Sequence, residues 1–310
     1  MRVEVVLTET DIAQEFADAM EARDLPEKFF YWFPHSVAEW VAISNNPELY
    51  GGLAATWGKM TALATWLTQH FTGQIPVISF GAGDGSRDRM LMDALKNAGR
   101  ESAYFPVDAS QAMLERACAA ADDDDIEVVG IKADISSPVH MIFAADAAEA
   151  PRLMIFSGNT LGVFDPLAQI RYVAQCMKPG DRLIVDGEIF EEGKTTARRD
   201  HPVARRFLWA LLASIGISAN DGELRINEKR DDRHGGLHLN TRYFRADRDI
   251  TATVLGKPVP LERGERIGLN FQYAYTAEAF RWLLREQGGL QILREMESSD
   301  GRFLTAVCTR

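Results

Sequence analysis

The chain has 310 residues, 46% hydrophobic and 25% charged, a composition that allows one large domain or a core domain with a smaller lid. Its formal net charge of −11 provides no basic surface for phosphates, so nucleic acid is not an expected partner. No stretch stays apolar for the roughly 18 residues of a membrane span, and the opening MRVEVVLTETD lacks the apolar run of a secretion signal, so we expect a cytoplasmic protein without membrane contacts.

Residues 1–70 are predicted to form an N-terminal helical segment. Apolar residues recur at helical spacing in this part of the chain, for example at Ile12, Phe16 and Met20. From about residue 75 the pattern changes to short apolar runs that alternate with helical stretches, which is typical of a parallel sheet with crossover helices. We therefore expect a sheet domain to begin there.

Five strands and three intervening helices are predicted in the middle of the chain. The strands are placed at 76–80, 102–107, 126–131, 153–156 and 182–186, and the helices at 87–98, 110–120 and 166–177. Successive βα units of this kind favour a doubly wound α/β sheet.

The end of the chain predicts two apolar strands, at 290–296 and 303–309, joined by the short link SSDG. Because this link is too short for a crossover helix, the last strand must run antiparallel to its neighbours. A parallel sheet that closes with an antiparallel hairpin resembles the class I methyltransferases and differs from ordinary dinucleotide-binding dehydrogenase domains. The preceding stretch, 191–268, is too long for a loop and is interpreted as an inserted lid.

A glycine-rich loop follows the first of the five strands. It contains Gly81, Ala82 and Gly83 within the run GAGDGS, directly before a helix. Glycines there let the backbone turn and approach a ligand, and the N–H groups of the helix start favour an anionic or polar group. Ser86 stands where the dinucleotide-binding motif has its third glycine, which disfavours NAD. Taken alone, the loop is also compatible with a turn that binds nothing.

Two aspartates follow the next two strands. Asp108, followed by Ala109, ends one strand, where a carboxylate can accept hydrogen bonds from ribose hydroxyls. Asp134 follows the other strand, where it can accept from an adenine amino group while Ile135 packs on the ring. Each aspartate alone is also compatible with a helix N-cap. Their shared placement at strand ends favours an adenosine site in one crevice.

Several runs together resemble the histidine-specific methyltransferase family, whose best-known member makes trimethylhistidine for ergothioneine. The runs are ISFGAGDGSRDRMLMDAL, YFPVDAS, LPEKFFY, FSGNTLGVF and NFQYAYTAEAFRWLL. The resemblance implies a Rossmann-like fold that binds S-adenosylmethionine (SAM) and releases S-adenosylhomocysteine (SAH). It implies a SAM-binding domain from residues 71–190 and 269–310, and a smaller substrate domain from residues 1–70 and the insertion 191–268.

The same resemblance implies roles for individual residues. Arg87 stands where the family usually has a lysine for the cofactor carboxylate, and arginine can bind a carboxylate with two parallel hydrogen bonds. Tyr31, in the LPEKFFY run, would close the site and is our candidate for orienting the substrate amine. The implied cofactor residues are Gly81, Ala82, Gly83, Arg87, Asp108, Ala109, Asp134, Ile135 and Ser157.

The family's histidine-binding positions differ here. Val163 replaces the asparagine that grips the substrate amine, and Asn270 and Gln272 replace a Glu-x-Ser pair that holds the imidazole. Since a buried ligand group without its partner costs roughly 1–3 kcal/mol, histidine is not the preferred substrate by this argument. Asn159 is a candidate replacement for the lost asparagine, and Tyr50 is a candidate pocket donor.

We therefore expect methyl transfer from SAM to an amine nitrogen of a small molecule such as an amino acid. Two alternatives stay open, an O- or C-methyltransferase of a natural-product intermediate and a non-catalytic SAM-binding protein, with an NAD enzyme third. No metal is predicted, because Gly235 and Gly236 interrupt the His234/His238 pair and no acidic third ligand is placed. The three separated cysteines, Cys118, Cys176 and Cys308, are expected to be buried thiols.

Overall fold

The computed structural model describes residues 2–58, 60–121, 126–231 and 236–310. The chain opens with a short strand and then forms helices, as predicted from the apolar spacing. Thr8 and Asp11 form a capping box at the start of the first helix, which buries Ile12, Phe16 and Met20. These elements are β1 (Arg2–Val5), α1 (Glu9–Glu21), a 3₁₀ turn (Glu27–Tyr31), α2 (Pro34–Ser44), α3 (Pro47–Gly58) and α4 (Met60–Leu67).

The middle of the chain alternates strands and helices. The predicted strands and helices are confirmed, each boundary to within two residues, and a further helix, α7, lies between two of them. The elements are β2 (Ile75–Phe80), α5 (Ser86–Asn97), β3 (Ser102–Asp108), α6 (Gln111–Ala120), β4 (Glu127–Lys132), α7 (Pro138–Ala145), β5 (Leu153–Phe156), α8 (Pro166–Cys176) and β6 (Arg182–Glu188).

The stretch interpreted as a lid contains two helices and two strands of a small antiparallel sheet, whose third strand, β11, continues beyond residue 268. The sheet has the strand order β11-β8-β7, and β9 and β10 form a separate hairpin. The elements are α9 (Lys194–Arg199), α10 (Pro202–Ser214), β7 (Gly222–Asp231), β8 (Leu237–Ala246), β9 (Ile250–Val254), β10 (Lys257–Leu261) and β11 (Arg266–Tyr275).

The chain ends as the short SSDG link predicts. After α11 (Ala277–Trp282) come β12 (Gln291–Glu297) and β13 (Phe303–Thr309), and β13 pairs antiparallel with both β12 and β6. The main sheet has eight strands in the order β1-β4-β3-β2-β5-β6-β13-β12, and the pairs from β1 to β6 are parallel. This is the Rossmann-like sheet of class I methyltransferases.

The sheet order reverses between β2 and β5. From β2 the chain moves outward to β3 and β4, and it then returns to place β5 on the other side of β2. Crevices at such switch points, beyond the carboxyl ends of the strands, are where α/β sheets bind ligands. Alternate residues of β2 pack into two separate cores, Ile75 and Val77 in one and Ile78 and Phe80 in the other, so both faces of the sheet are covered.

Strand β1 was not predicted. Its four residues, RVEV, alternate charged and apolar side chains and are too few to give a clear period, yet they pair in parallel with β4. Cys118, Cys176 and Cys308 are free and buried, as expected. Within the described ranges, no helix combines the length and apolar character needed to cross a membrane.

Candidate active site

A cavity lies at the carboxyl ends of the parallel strands, where the sheet order reverses. The sheet and the loops at its strand ends supply one wall, and the N-terminal segment, α9, α10, β8 and β11 contribute to the others. Every residue that the sequence comparison implied for the cofactor lines this one cavity. They are Gly81, Ala82, Gly83, Arg87, Asp108, Ala109, Asp134, Ile135 and Ser157.

The glycine-rich loop depends on backbone conformations that favour glycine. Gly81, Gly83 and Gly85 have φ angles of 69°, 59° and 72°. A Cβ on Gly81 would lie 3.1 Å from Thr160 Cγ2 and 3.2 Å from Ile135 Cδ1, at the floor of the cavity. The loop is tied to the next strand because Gly83 N–H donates to Asp108 Oδ2 at 3.1 Å. Its backbone is therefore held open towards the cavity.

Asp108 is held in place by backbone donors on both carboxylate oxygens. Ser110 N–H donates to Oδ1 at 2.9 Å, while Gly83 occupies Oδ2. Burial raises the pKa of Asp108 to about 6, and the backbone hydrogen bonds limit that rise. Each oxygen can still accept a second hydrogen bond, so the carboxylate can receive two ribose hydroxyls.

Asp134 already accepts hydrogen bonds on both oxygens. Ser136 occupies Oδ1 through its N–H at 2.8 Å and its hydroxyl at 2.6 Å, and Lys28 Nζ binds Oδ2 at 2.6 Å. Burial alone would raise the pKa of Asp134, but the Lys28 ammonium and the Ser136 donors hold it below its usual range. The N-terminal segment is thus pinned to the predicted adenine position by a salt bridge. An adenine amino group there would have to share Oδ2 with Lys28.

Arg87 reaches across the cavity from the first turn of α5. Its guanidinium carbon lies 5.5 Å from the centre of the Tyr50 ring, and a Cβ on Gly158 would lie only 2.8 Å from Nη1. No ion-pair partner of Arg87 occurs among the residues that the structure describes. This guanidinium is therefore available to a carboxylate, as the resemblance implies. Tyr50 itself stacks on Phe303 at 5.9 Å between ring centres.

The loop after β5 is fixed from β6. The Asp186 carboxylate accepts from Gly158 N–H at 3.0 Å and from Asn159 N–H at 2.7 Å, so the neighbouring Ser157 is presented to the cavity. Val163 lines the cavity further along the same loop.

Asn159 is a correction to the sequence-based interpretation. It is 1% exposed and does not line the cavity. Its Nδ2 donates to the Tyr273 carbonyl at 3.1 Å, and its Oδ1 accepts from Glu188 N–H at 3.0 Å. Both ends of the amide are used to join β11 to β6, so Asn159 cannot replace the missing amine-binding asparagine.

A hydrogen-bonded chain of polar side chains crosses the wall opposite the sheet. Tyr31 OH donates to Glu27 Oε1 at 2.6 Å, and Asn270 Nδ2 donates to Glu27 Oε2 at 2.5 Å. Arg242 Nη1 then donates to Asn270 Oδ1 at 2.9 Å, and Nη2 donates to Gln272 Oε1 at 3.1 Å. All five residues line the cavity. We call this set the polar wall.

The polar wall contains a carboxylate that the sequence argument had considered lost. Glu27 is 8% exposed, and burial raises its pKa despite the hydrogen bond from Tyr31 and the nearby charge of Arg242. Burial also lowers the pKa of Arg242, to about 10, so the guanidinium stays charged at neutral pH. The polar wall therefore contains an acidic side chain, Glu27, and a basic side chain, Arg242, on either side of the neutral Asn270.

A second charged group lies beside the polar wall. Glu188, at the end of β6, is bound by Arg198 Nη2 at 3.0 Å and by Arg199 Nη2 at 2.7 Å. Burial alone would raise the pKa of Glu188, but the two guanidinium groups hold it below its usual range. Arg199 also donates to the carbonyls of Gln272 and Tyr273, which anchors α9 to β11.

Several of these cavity residues were not predicted from the sequence, although Arg242 and Glu188 left a usable signal. Arg242 lies at an inward position of β8, on the buried face with Phe244 and Ala246, where a charged residue is unexpected. Glu188 ends a parallel strand, the same signal that identified Asp108. Glu27 and Lys28 left only a weak signal, two charges directly before the aromatic run at residues 29–33.

The aromatic side chains between residues 29 and 40 divide between the core and the cavity. Phe29 and Phe30 are fully buried, whereas Tyr31 and Trp40 line the cavity and make an edge-to-face contact at 5.3 Å. The His234/His238 pair, from which no metal site was predicted, falls partly outside the described residues, because His234 is not among them. His238 stacks on Phe190. In the described ranges no cluster of three or more metal-ligating side chains occurs.

Comparison with known proteins gives one matching family, described as histidine-specific methyltransferase, SAM-dependent, over residues 9–310. A histidine N-alpha-methyltransferase of Mycolicibacterium smegmatis is 26% identical over 175 residues, 55% of this chain and 52% of that protein. The enzyme of the same name from Mycobacterium tuberculosis is 26% identical over 151 residues, 45% of this chain and 44% of that protein. The chain thus spans about half the length of these curated relatives.

Among solved structures, an S-adenosylmethionine-dependent methyltransferase from Clostridium acetobutylicum is similar over 84% of this chain and 96% of its own, with 14% identity and a TM-score of 0.43.

Proposed function

This chain belongs to the family of histidine-specific, SAM-dependent methyltransferases, and from that premise we propose that it transfers a methyl group from SAM to the amine nitrogen of an amino acid. The observation that carries the proposal is the convergence of every implied cofactor residue on one cavity, which residues of the polar wall also line. Residues 71–190 and 269–310 would form the cofactor half, and residues 1–70 and 191–268 the substrate half.

The cavity fits SAM on three observations. Gly81 leaves space at the floor that a Cβ would fill, the half-buried Asp108 carboxylate has acceptor capacity to spare, and the Arg87 guanidinium has no acidic partner among the described residues. Gly81, Ala82 and Gly83 would hold the methionine part, with Arg87 on its carboxylate. Asp108 and Ala109 would hold the ribose, Asp134 and Ile135 the adenine, and Ser157 would border the sulfonium.

The methyl group on a sulfonium is already activated, since the departing thioether is a good leaving group. The protein therefore has to align the amine with the methyl carbon and exclude water, and such positioning supplies up to roughly 7–11 kcal/mol in favourable cases. Trp40, Tyr50 and Phe207 would provide the dry wall of the reaction space.

The amine must be neutral when it attacks. Tyr31 is our candidate to orient it, because the hydroxyl proton is committed to Glu27 and the hydroxyl oxygen is left to accept an amine N–H. Glu27 lies within reach of a proton released to the Tyr31 hydroxyl, and its raised pKa favours holding that proton. The pair would thus position the nucleophile and receive its proton.

We further propose that the amino acid is not histidine. The support lies in the site residues alone: Val163 offers no hydrogen bond, and Asn270 is already bound between Glu27 and Arg242. Where the family has a carboxylate, this chain has the neutral Asn270 in contact with Arg242, and the nearby Glu27 carboxylate already accepts from Tyr31 and Asn270. The two named relatives act on histidine by their names, so histidine belongs in any substrate panel.

The first test is calorimetric titration with SAM, SAH and NAD, followed by transfer of labelled methyl from SAM to a panel of amino acids that includes histidine. We expect SAM and SAH to bind, NAD not to bind, and Asp108→Ala to weaken SAM binding by at least about tenfold, through loss of charge-assisted hydrogen bonds. Absence of SAM binding would sink the proposal. Binding without transfer to any amine would favour a non-catalytic protein, and a methylated oxygen or carbon would identify the other enzyme class.

Gly99→Ala is a suitable control for that titration. Gly99 lies beyond the far end of α5, and a Cβ there would meet nothing within 4 Å, so a loss of SAM binding in this variant would indicate general damage.

A further inference from the structure

Arg242 is a buried guanidinium without an acidic partner among the described residues. It is 8% exposed and lines the cavity from β8. Its two hydrogen bonds go to neutral amides, Asn270 at 2.9 Å and Gln272 at 3.1 Å. A guanidinium has five N–H donors, so these contacts leave most of them unused, and Nε is buried without any partner.

The neighbouring carboxylates do not neutralise this charge directly. Glu188 is shared between Arg198 and Arg199, and Glu27 is separated from Arg242 by the intervening Asn270 side chain. Arg198 also binds Glu191 at 2.9 Å, so Arg198 and Arg199 both have carboxylate partners, whereas Arg242 has none among the described residues. An uncompensated buried charge is costly, and an anionic ligand would relieve that cost.

Asn270 keeps the arrangement open. Its Oδ1 accepts from Arg242 while its Nδ2 donates to Glu27, so a neutral side chain holds the acid and the base apart. A glutamate at this position, as in the family, would pair with Arg242 and place two carboxylates side by side. The asparagine therefore preserves a free cation at the part of the cavity that, by resemblance, receives the substrate side chain.

We propose that Arg242 binds a carboxylate of the substrate, so that the substrate class is an amino acid with an anionic group facing the polar wall. This inference depends on the proposed function for the methyl transfer. The binding of a carboxylate to Arg242 does not depend on it. The carboxylate has two possible sources, the α-carboxylate of the amino acid or an acidic side chain. Either one supplies the acceptors that the unused guanidinium donors lack.

A matched set of ligands separates the two sources. Protein saturated with SAH is titrated with four ligands. Glutamate carries both carboxylates, glutamine only the α-carboxylate and isoglutamine only the side-chain carboxylate, while glutaminamide carries neither. 4-Carboxyphenylalanine and its three corresponding amides repeat the comparison with an aromatic ring, which suits the cavity side chains Trp40, Tyr50 and Phe207. The variants are Arg242→Met and, as a control, Arg245→Met, which removes a guanidinium from the same strand on its opposite face.

We expect at least one carboxylate to bind about 10- to 100-fold more tightly than its matched amide, as for a charge-assisted hydrogen bond to a buried group. Arg242→Met should abolish this preference while SAH affinity, and hence the fold, is retained. Arg245→Met should leave the preference intact. For a ligand that is methylated, Arg242→Met should raise KM more than it lowers kcat.

Equal affinities within every carboxylate–amide pair, or no binding by any ligand at millimolar concentration, would overturn the inference. So would an unchanged preference in Arg242→Met. A retained carboxylate preference without methyl transfer to any ligand of the set would instead count against the proposed function and leave the carboxylate site standing.

Discussion

The pKa values of individual carboxylates in this protein depend on the balance between burial, which raises them, and hydrogen bonds or ion pairs, which lower them. Asp108 and Asp134 occupy equivalent strand ends, yet burial raises the pKa of Asp108 to about 6, whereas Lys28 holds the pKa of Asp134 below its usual range. The difference arises because Asp108 receives only backbone donors and Asp134 receives an ammonium group. Two similar carboxylates therefore respond differently to acid.

SAM affinity is expected to depend on the protonation of Asp108. The ionised carboxylate accepts the ribose hydroxyls, so the affinity should be constant at high pH and should fall as the pH drops through about 6. At one unit below that pKa only about a tenth of the molecules are ionised, which weakens binding about tenfold. Calorimetric titration at several pH values measures this directly.

Asp108→Asn is the matched control, because it should bind weakly with no inflection near pH 6. Circular dichroism at each pH must accompany the titration, since burial also raises the pKa of Asp88 to about 6 and its protonation lies in the same range. An inflection that persists in Asp108→Asn would show that another group controls binding.

The sequence predicted the cofactor side of the cavity better than the substrate side. Gly81, Asp108 and Asp134 follow strands whose apolar runs are easy to recognise, and parallel strands place their ends at one edge. The polar wall instead combines Glu27 and Tyr31 from the N-terminal segment with Arg242 of β8 and residues of β11. Their proximity depends on how distant elements pack, so neither local pattern nor spacing contains it.

At the scale of elements, strands were predictable where apolar runs were unbroken and flanked by turns. β5 and β13 match their predicted bounds. β1 was missed because its four residues, which alternate charged and apolar side chains, are too few to establish the two-residue period of a strand. The register of β1 comes from β4, its partner about 125 residues further along the chain. Long-range pairing of this kind is not encoded within the strand itself.

The junction between the glycine loop and α5 is expected to be sensitive to a single methyl group. Gly85 has φ 72°, and a Cβ there would lie 2.7 Å from the backbone Cα of Ala117. Gly85→Ala should therefore lose stability through both backbone strain and overpacking against α6, together about 2–4 kcal/mol. Thermal or urea unfolding measures the loss.

Gly99→Ala tests the strain contribution alone, because Gly99 flanks the other end of α5 with φ 82° and has nothing within 4 Å of a Cβ. We expect it to cost about 1 kcal/mol. Equal losses in the two variants would contradict the close contact with Ala117.

On the scale of the whole molecule, the N-terminal segment is fastened to the sheet by charges. Lys28 binds Asp134 at 2.6 Å, and Lys132 binds Glu9, so both ties lie at the carboxyl end of β4. The same segment supplies Glu27 and Tyr31 to the polar wall. A ligand in the cavity therefore contacts two parts of the chain that these ion pairs join.

SAH binding should consequently slow amide hydrogen exchange in the N-terminal segment as well as in the glycine loop. Protection is expected across residues 27–44 and 81–86. A ligand that orders the glycine loop should also reduce the motion of the N-terminal segment, because ion pairs join that segment to the sheet. The β9–β10 hairpin does not line the cavity and should exchange at an unchanged rate. Protection confined to the glycine loop would contradict coupling between the walls.

Strand β1 has a further consequence, for self-association. By pairing with β4 it covers backbone N–H and C=O groups between Val129 and Lys132. The opposite edge strand, β12, instead carries the charged side chains Arg294, Glu295 and Glu297. An uncovered β4 would offer a ready template for a strand from another molecule. We therefore expect a fusion that displaced β1 to lower solubility, because the edge of the sheet would pass from a strand with the charged Arg2 and Glu4 to the more apolar β4.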